Sequence, residues 1–275
     1  MKAAKFDYAR PRDLAEATKL LAQGNGAAKA LAGGQSLGPM LNLRLARPGL
    51  LVDISRLEEL KAVSDGGDHW RIGAGVTHSR LEDAAGRMPG AEMICLVAAG
   101  IAYRSVRNRG TIGGSLAHAD PAADWPLALA ALGATVEIVG PKGKRRVAAQ
   151  ALMSGAFTTA LDDAELIAGV TVPKLSAKAR WGYYKFCIKP GEFPEASAAV
   201  VFDSARNAAR VFIGALDGPP VALSGIAVAV AASGALPGAA EIDAAVARAA
   251  PSLDAVDRRL HAAVLSRALQ QAVAP

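Results

Sequence analysis

Apolar positions recur at helical spacing along parts of the chain and at strand-like spacing along others, and the pattern changes character near residue 177. Ala15, Leu20 and Leu21 behind Asp13 predict a helix over about residues 13–23, ended by Gly24-Asn25-Gly26. Lys29–Ala32 predicts a short strand that runs into Gly33-Gly34; a helix over Met40–Leu45 after Pro39 and a strand over Leu50–Ile54 close a first α/β unit, residues 1–55. Residues 56–176 predict a second unit. It holds a strand at Trp70–Gly75, helices at Ser79–Ala85 and Ile94–Ile101, and a loop from Arg104 to a second Gly-Gly at Gly113-Gly114. Helix Ala122–Leu132, strand Thr135–Val139 and a strand returning after Pro141–Gly143 complete it. In residues 177–275, four short strands are expected at Tyr183–Ile188, Ala198–Asp203, Ala209–Ala215 and Ala222–Val230, with turns at Asn207 and Asp217-Gly218. Helices Ala239–Ala250 and Ser252–Val273 follow, the second with Leu253, Val256, Leu260, Val264 and Ala268 along one stripe, widened by Leu265 and Leu269. The fold class is α+β: two small α/β subdomains, then an antiparallel sheet with helices.

Two short segments concentrate the candidate chemistry: Ala32-Gly33-Gly34-Gln35-Ser36 and Thr111-Ile112-Gly113-Gly114-Ser115. Paired glycines permit positive φ and close approach of a ligand to the main chain. Successive N–H groups can then converge on an anion without a charged side chain. Ser36, Thr111 and Ser115 add hydroxyls. One loop on each side suits a two-pronged anion such as a pyrophosphate; the plain alternative is two tight turns. There is no GxxxxGK[ST] and no GxGxxG after a strand, so neither a P-loop nor a Rossmann site is expected.

Charge and cysteine content narrow the classes further. The net charge of +6, from 31 Lys+Arg against 25 Asp+Glu, favours phosphate-bearing ligands or an acidic partner surface. No basic stripe carries interleaved aromatics, which argues against nucleic acid; Lys142, Lys144, Arg145 and Arg146 read as a solvated hairpin. Cys95 and Cys187 stand alone, which excludes a four-thiolate zinc or iron–sulfur site on this chain. His118, Asp120 and Asp124 have no pattern of supporting residues and are not expected to bind a metal. The uncharged stretch from Gly218 to Ala240 is interrupted by prolines and glycines and is expected to be a strand and a loop. Met1–Asp7 lacks the apolar run of a signal peptide, so a cytoplasmic location is expected.

Ala32–Leu37, continued by Leu41-Asn42-Leu43-Arg44-Leu45 and Leu51-Val52-Asp53-Ile54, resembles the first FAD loop of the medium subunits of the carbon monoxide dehydrogenase and xanthine dehydrogenase family. Val106-Arg107-Asn108-Arg109-Gly110-Thr111-Ile112-Gly113-Gly114-Ser115, continued through Pro126, resembles the second, and with Tyr183–Phe193 the resemblance covers nearly the whole chain. It implies that both α/β subdomains bind FAD, with the pyrophosphate between Ala32–Ser36 and Thr111–Ser115. It further implies that Asp124 meets the ribitol or ribose and that Leu166, Lys189 and Phe193 lie at the flavin end. Phe193 stands where the family often has Tyr, and Ser115 where Asn is usual. The implied assembly adds a large molybdenum-cofactor subunit and a small subunit with [2Fe-2S] clusters, doubled into a dimer of heterotrimers. Electrons would pass through this chain to an outside acceptor: NAD, a quinone, a cytochrome or oxygen. Carbon monoxide, aldehydes, purines and N-heterocycles remain open as substrates.

Two other readings compete with electron transfer in a complex. A stand-alone flavoprotein oxidoreductase would share the same loops. Gly34-Gln35-Ser36-Leu37-Gly38 also fits G-x-S-x-G, the nucleophile elbow of α/β-hydrolases, with Asp257 and His261 following in triad order. Against it, too little chain precedes Ser36 to build the sheet around an elbow, and His261 is expected at a surface or groove.

Overall fold

A computed structural model describes residues 2–273. Residues 7–53 form β1 (Asp7–Ala9), α1 (Leu14–Gln23), β2 (Ala28–Leu31), α2 (Leu37–Asn42) and β3 (Leu50–Asp53). Both β1 and β2 run parallel to β3. The predicted first helix is present. Asp13 caps it by accepting from the Glu16 N–H at 2.8 Å, and Glu16 in turn accepts from the Arg12 N–H at 2.8 Å. The second helix starts earlier than Met40: Ser36 is its N-cap and Pro39 lies in its first turn, where a missing N–H costs little.

The next section contains β4 (Val63–Asp65), β5 (His69–Gly73), α3 (His78–Glu82), α4 (Glu92–Ala99), α5 (Arg104–Arg107), α6 (Ile112–His118) and α7 (Asp124–Leu132). It continues through β6 (Thr135–Gly140), β7 (Gly143–Ala148), β8 (Met153–Gly155), β9 (Thr158–Thr159) and β10 (Leu166–Pro173). Five of these strands make an antiparallel sheet in the order β4-β5-β10-β6-β7, with β10 at its centre. The expected loop over Arg104–Gly114 is largely helical, and the second Gly-Gly lies in the first turn of α6. Every residue of α7 is buried, because the helix is packed between this section and the sheet that follows.

That sheet is a meander of β11 (Arg180–Phe186), β12 (Ala196–Asp203), β13 (Ala208–Gly214) and β14 (Val221–Ala222). It is covered by α8 (Ser224–Ser233), α9 (Ala239–Ala249) and α10 (Ala255–Val273). The fourth predicted strand is corrected here: after two strand residues the chain turns into α8. Ile226, Ala227 and Val230 are buried at helical spacing, and Gly234 stops the helix at φ +68°. On α10 the buried stripe is rotated from the one expected. Val256 is exposed, and His261, Val264, Leu265, Ala268, Leu269 and Ala272 face inward. The close seat of α10 requires Gly182, where a Cβ would stand 2.0 Å from the Ala268 carbonyl oxygen.

Candidate cofactor cleft

The two double-glycine segments meet along one side of a cleft of about 1360 Å³. They touch through backbone: a Cβ on Gly33 would lie 2.0 Å from the Arg109 carbonyl oxygen and 2.9 Å from Gly110 Cα. In the first segment the N–H groups of Gly33, Gly34, Gln35 and Ser36 have no acceptor among the described residues, and all four residues line the cleft. Gly34 makes this turn possible at φ +73°. Four adjacent amides without protein partners are free to donate to an anion in the cleft.

The second segment is built differently from expectation. Gly113 and Gly114 do not have positive φ, and their amides are already used. Gly113 N–H donates to Ala74 O at 2.9 Å, Gly114 N–H to Thr111 Oγ1 at 3.0 Å, and Ser115 N–H to Thr111 O at 3.0 Å. Here glycine serves proximity: a Cβ on Gly113 would sit 2.4 Å from that of Ala74. Thr111 Oγ1, as the acceptor for Gly114, keeps its own proton available to a ligand.

Ala32–Ser36, Thr111, Gly113–Ser115, Asp124, Leu166 and Phe193 all border the cleft. Ile112 and Lys189 do not. The Ile112 side chain is fully buried in the core, and Lys189 is 74 % exposed beside Glu192 at 3.8 Å. Asp124 is buried, and its Oδ1 accepts from the Tyr183 hydroxyl at 2.5 Å and from Lys185 Nζ at 2.6 Å. Its other oxygen has no partner among the described residues. Burial, and next the Asp124 charge, push the Tyr183 hydroxyl well above its ordinary pKa. Lys29 and Lys185 also line the cleft, though the sequence reading passed over both. Tyr183 and Lys185 alternate onto one face of β11, which a period-two reading brings together.

Beneath the second segment, Arg107 holds Glu82 with two bonds of 2.8 and 3.0 Å and donates to the Ile101 and Ala102 carbonyls at 2.9 Å each. His78, at the start of α3, is buried, and Trp125 Nε1–H donates to its Nδ1 at 3.2 Å. Burial, aided by the Arg107 charge, lowers the His78 pKa from 6.5 to about 4. The folded state therefore resists a proton that the unfolded chain accepts. The resulting stability is complete above pH 6.5 and is lost as the pH falls toward 4, an effect of about 3 kcal/mol. Urea denaturation of the apo chain should show this fall, and His78→Gln should remove most of it; the same slope in both proteins would contradict the assignment.

No catalytic triad forms. Ser36 borders the cleft, whereas His261 is not at the surface but buried within the C-terminal helical layer. Its ring nitrogens face the Asp257 and Gly214 carbonyl oxygens at 2.9 and 3.2 Å, so neither is offered to Ser36. The three side chains considered as metal ligands are engaged separately. The His118 ring lies 5.2 Å from that of Phe157, Asp120 accepts from Ala122 N–H, and Asp124 holds Tyr183 and Lys185.

Residues 4–175 match the family model described as the FAD binding domain in molybdopterin dehydrogenase. The chain belongs to this family. It is 36 % identical over 207 residues to the nicotine 6-hydroxylase medium subunit of Paenarthrobacter nicotinovorans, covering 75 % of this chain and 72 % of that one. Among solved structures it resembles the carbon monoxide dehydrogenase of Oligotropha carboxidovorans, with TM-score 0.92 and 30 % identity over 100 % of this chain and 99 % of that chain. It also resembles the quinoline 2-oxidoreductase of Pseudomonas putida 86, with TM-score 0.87 and 30 % identity over 99 % and 98 %. The protein is thus an FAD-binding medium subunit of the molybdenum hydroxylase type, an oxidoreductase component, and the α+β architecture is the one this family shares. No helix among its described residues is long and apolar enough to cross a membrane.

Proposed function

We propose that the chain is the electron-transfer subunit of a cytoplasmic molybdenum hydroxylase, working with a large molybdenum subunit and a small iron–sulfur subunit, the trimer being doubled. The observation that carries the cofactor assignment is the run of four unpartnered amides from Gly33 to Ser36. Such a run fits a pyrophosphate without a neutralising side chain. Ser36, Thr111 and Ser115 add hydroxyl donors, and the free oxygen of Asp124 is placed to accept from a sugar or ribitol hydroxyl. Leu166 and Phe193 supply apolar surface for a ring, while Lys185 orients Asp124 through its 2.6 Å contact. In this reading residues 1–55 and 56–176 are the two FAD-binding subdomains and residues 177–275 close the cleft behind α7. Bound FAD supplies acceptance and release of electrons; the chain itself needs no nucleophile or acid–base pair. Solved structures named for carbon monoxide and quinoline share this fold, and a relative named for nicotine is similar in sequence, which supports assigning substrate choice to the partner. Both cysteines are free, as suits a reducing compartment.

The native protein is expected to elute as a multi-subunit complex containing iron, molybdenum and about one FAD per copy of this chain, by absorbance and metal analysis of the size-exclusion peak. Adding substrate anaerobically should bleach the flavin bands in the complex and not in the isolated chain. A lone monomer from native extract that turns over substrate would overturn the partner assignment and favour a stand-alone flavoprotein.

A further inference from the structure

We propose that His78 is an additional ligand of the diphosphate, its Nε2–H donating at the point where the two glycine segments cross. The proposal rests on the FAD reading above and concerns a residue outside both segments. His78 lies directly beneath the second segment, with its backbone N–H donating to Gly110 O at 3.0 Å. The imidazole is 5 % exposed and borders the cleft. An indole nitrogen only donates, so the 3.2 Å contact from Trp125 makes Nδ1 the lone-pair nitrogen and leaves the proton of the neutral ring on Nε2. Nε2 has no acceptor among the described residues. It sits at the crossing: a Cβ on Gly110 would be 2.8 Å from Nε2, and a Cβ on Gly33 would be 2.9 Å from Gly110 Cα. In a residue only 5 % exposed that borders the cleft, a donor with a fixed tautomer and no protein acceptor is open to a group bound in the cleft. The group that belongs at this crossing is an anion, because the adjacent Gly33–Ser36 amides also lack acceptors. The nearest perturbing charge, Arg107, is held by Glu82, so the imidazole supplies a neutral and directional donor.

Asparagine and glutamine separate this role from mere support of Trp125. His78→Asn can accept the indole N–H but places no donor where Nε2 stands, whereas His78→Gln reaches that position with an amide N–H. The full-length apo chain is titrated with FAD and with ADP, which carries the diphosphate without the flavin. H78N is expected to weaken both ligands by at least about tenfold, the loss of one hydrogen bond to a charged group, while H78Q stays within about threefold of wild type. If H78N fails to fold, by its circular dichroism, the comparison of H78Q with His78→Phe decides in the same way. Wild-type affinity in H78N, or an equal loss in H78N and H78Q, overturns the proposal. Failure of the wild-type chain to bind either ligand would count instead against the FAD reading.

Discussion

Gly33→Ala is expected to empty the FAD site, lowering the FAD-to-protein ratio of the purified chain more than about tenfold. The added Cβ would stand 2.0 Å from the Arg109 carbonyl oxygen and 2.7 Å from its carbon, and backbone cannot swing aside as a flexible side chain can. The two segments would have to separate, carrying the free Gly33–Ser36 amides away from Thr111 and Ser115. Overpacking of this kind costs about 1–3 kcal/mol in fold stability, and a site shared by both segments loses its geometry as well. Two neighbouring glycines calibrate the result. At Gly34 the nearest atom to a Cβ is Leu31 Cδ1 at 3.3 Å, but φ is +73°, so Gly34→Ala should cost about 1–2 kcal/mol through strain alone. A Cβ on Gly38 would meet nothing within 4 Å, and this residue is helical, so Gly38→Ala should leave FAD content unchanged. The expected order of loss is therefore Gly33, then Gly34, with Gly38 as control. Full occupancy in the Gly33 variant would show that contact between the segments is not required.

The contrast between the two segments marks where sequence reasoning stops. Glycine pairs announce close approach, and both pairs are indeed at close approaches: Gly33 against Arg109 and Gly113 against Ala74. What they do not announce is conformation. Gly113-Gly114 opens a helix capped by Thr111, because the tertiary contacts at Ala74 and Val76 supply acceptors for the amides of Gly113 and Ile112. The central strand β10 escaped notice for a related reason. Its run from Leu166 to Pro173 carries Gly169 and ends on proline, local signals against a strand, yet burial on both sides keeps it in the sheet. The stretch Ile226–Val230 alternates β-branched residues with alanine and reads as a strand, but its packing against β13 is helical. Tertiary packing likewise rotates α10 so that His261 points inward, toward the Gly214 carbonyl at the end of β13. Asp124 was legible as a candidate through its motif, but its partners Tyr183 and Lys185 lie far along the chain and become neighbours only when α7 docks against the C-terminal sheet.

That docking carries the other large expected effect. Asp124→Ala should destabilise the apo chain by about 3–5 kcal/mol in urea denaturation, the usual result of removing one partner of a buried pair. Among the described residues the carboxylate is the only acceptor for both the Lys185 ammonium and the Tyr183 hydroxyl, and the Asp124 and Lys185 side chains are 8 % and 15 % exposed. Removing it strands a charge and a hydroxyl together, beside the face where α7 packs on β12 and β13 and Asp124 reaches across to β11. Lys185→Met should cost less, because Asp124 keeps the tyrosine bond and lies in the first turn of α7, where the helix dipole favours a negative charge. If the cost of Asp124→Ala comes mainly from the stranded partners, adding Lys185→Met to it should recover stability, and adding Tyr183→Phe should recover more. Simple additivity of the losses would show that the three groups are not coupled. FAD titration of the same series then separates support from contact. Asp124→Asn retains an oxygen that can accept from Tyr183 and Lys185, so it should fold more stably than Asp124→Ala. It exchanges the free carboxylate oxygen for an amide that can only donate, and its FAD affinity should fall if that oxygen receives a ligand hydroxyl.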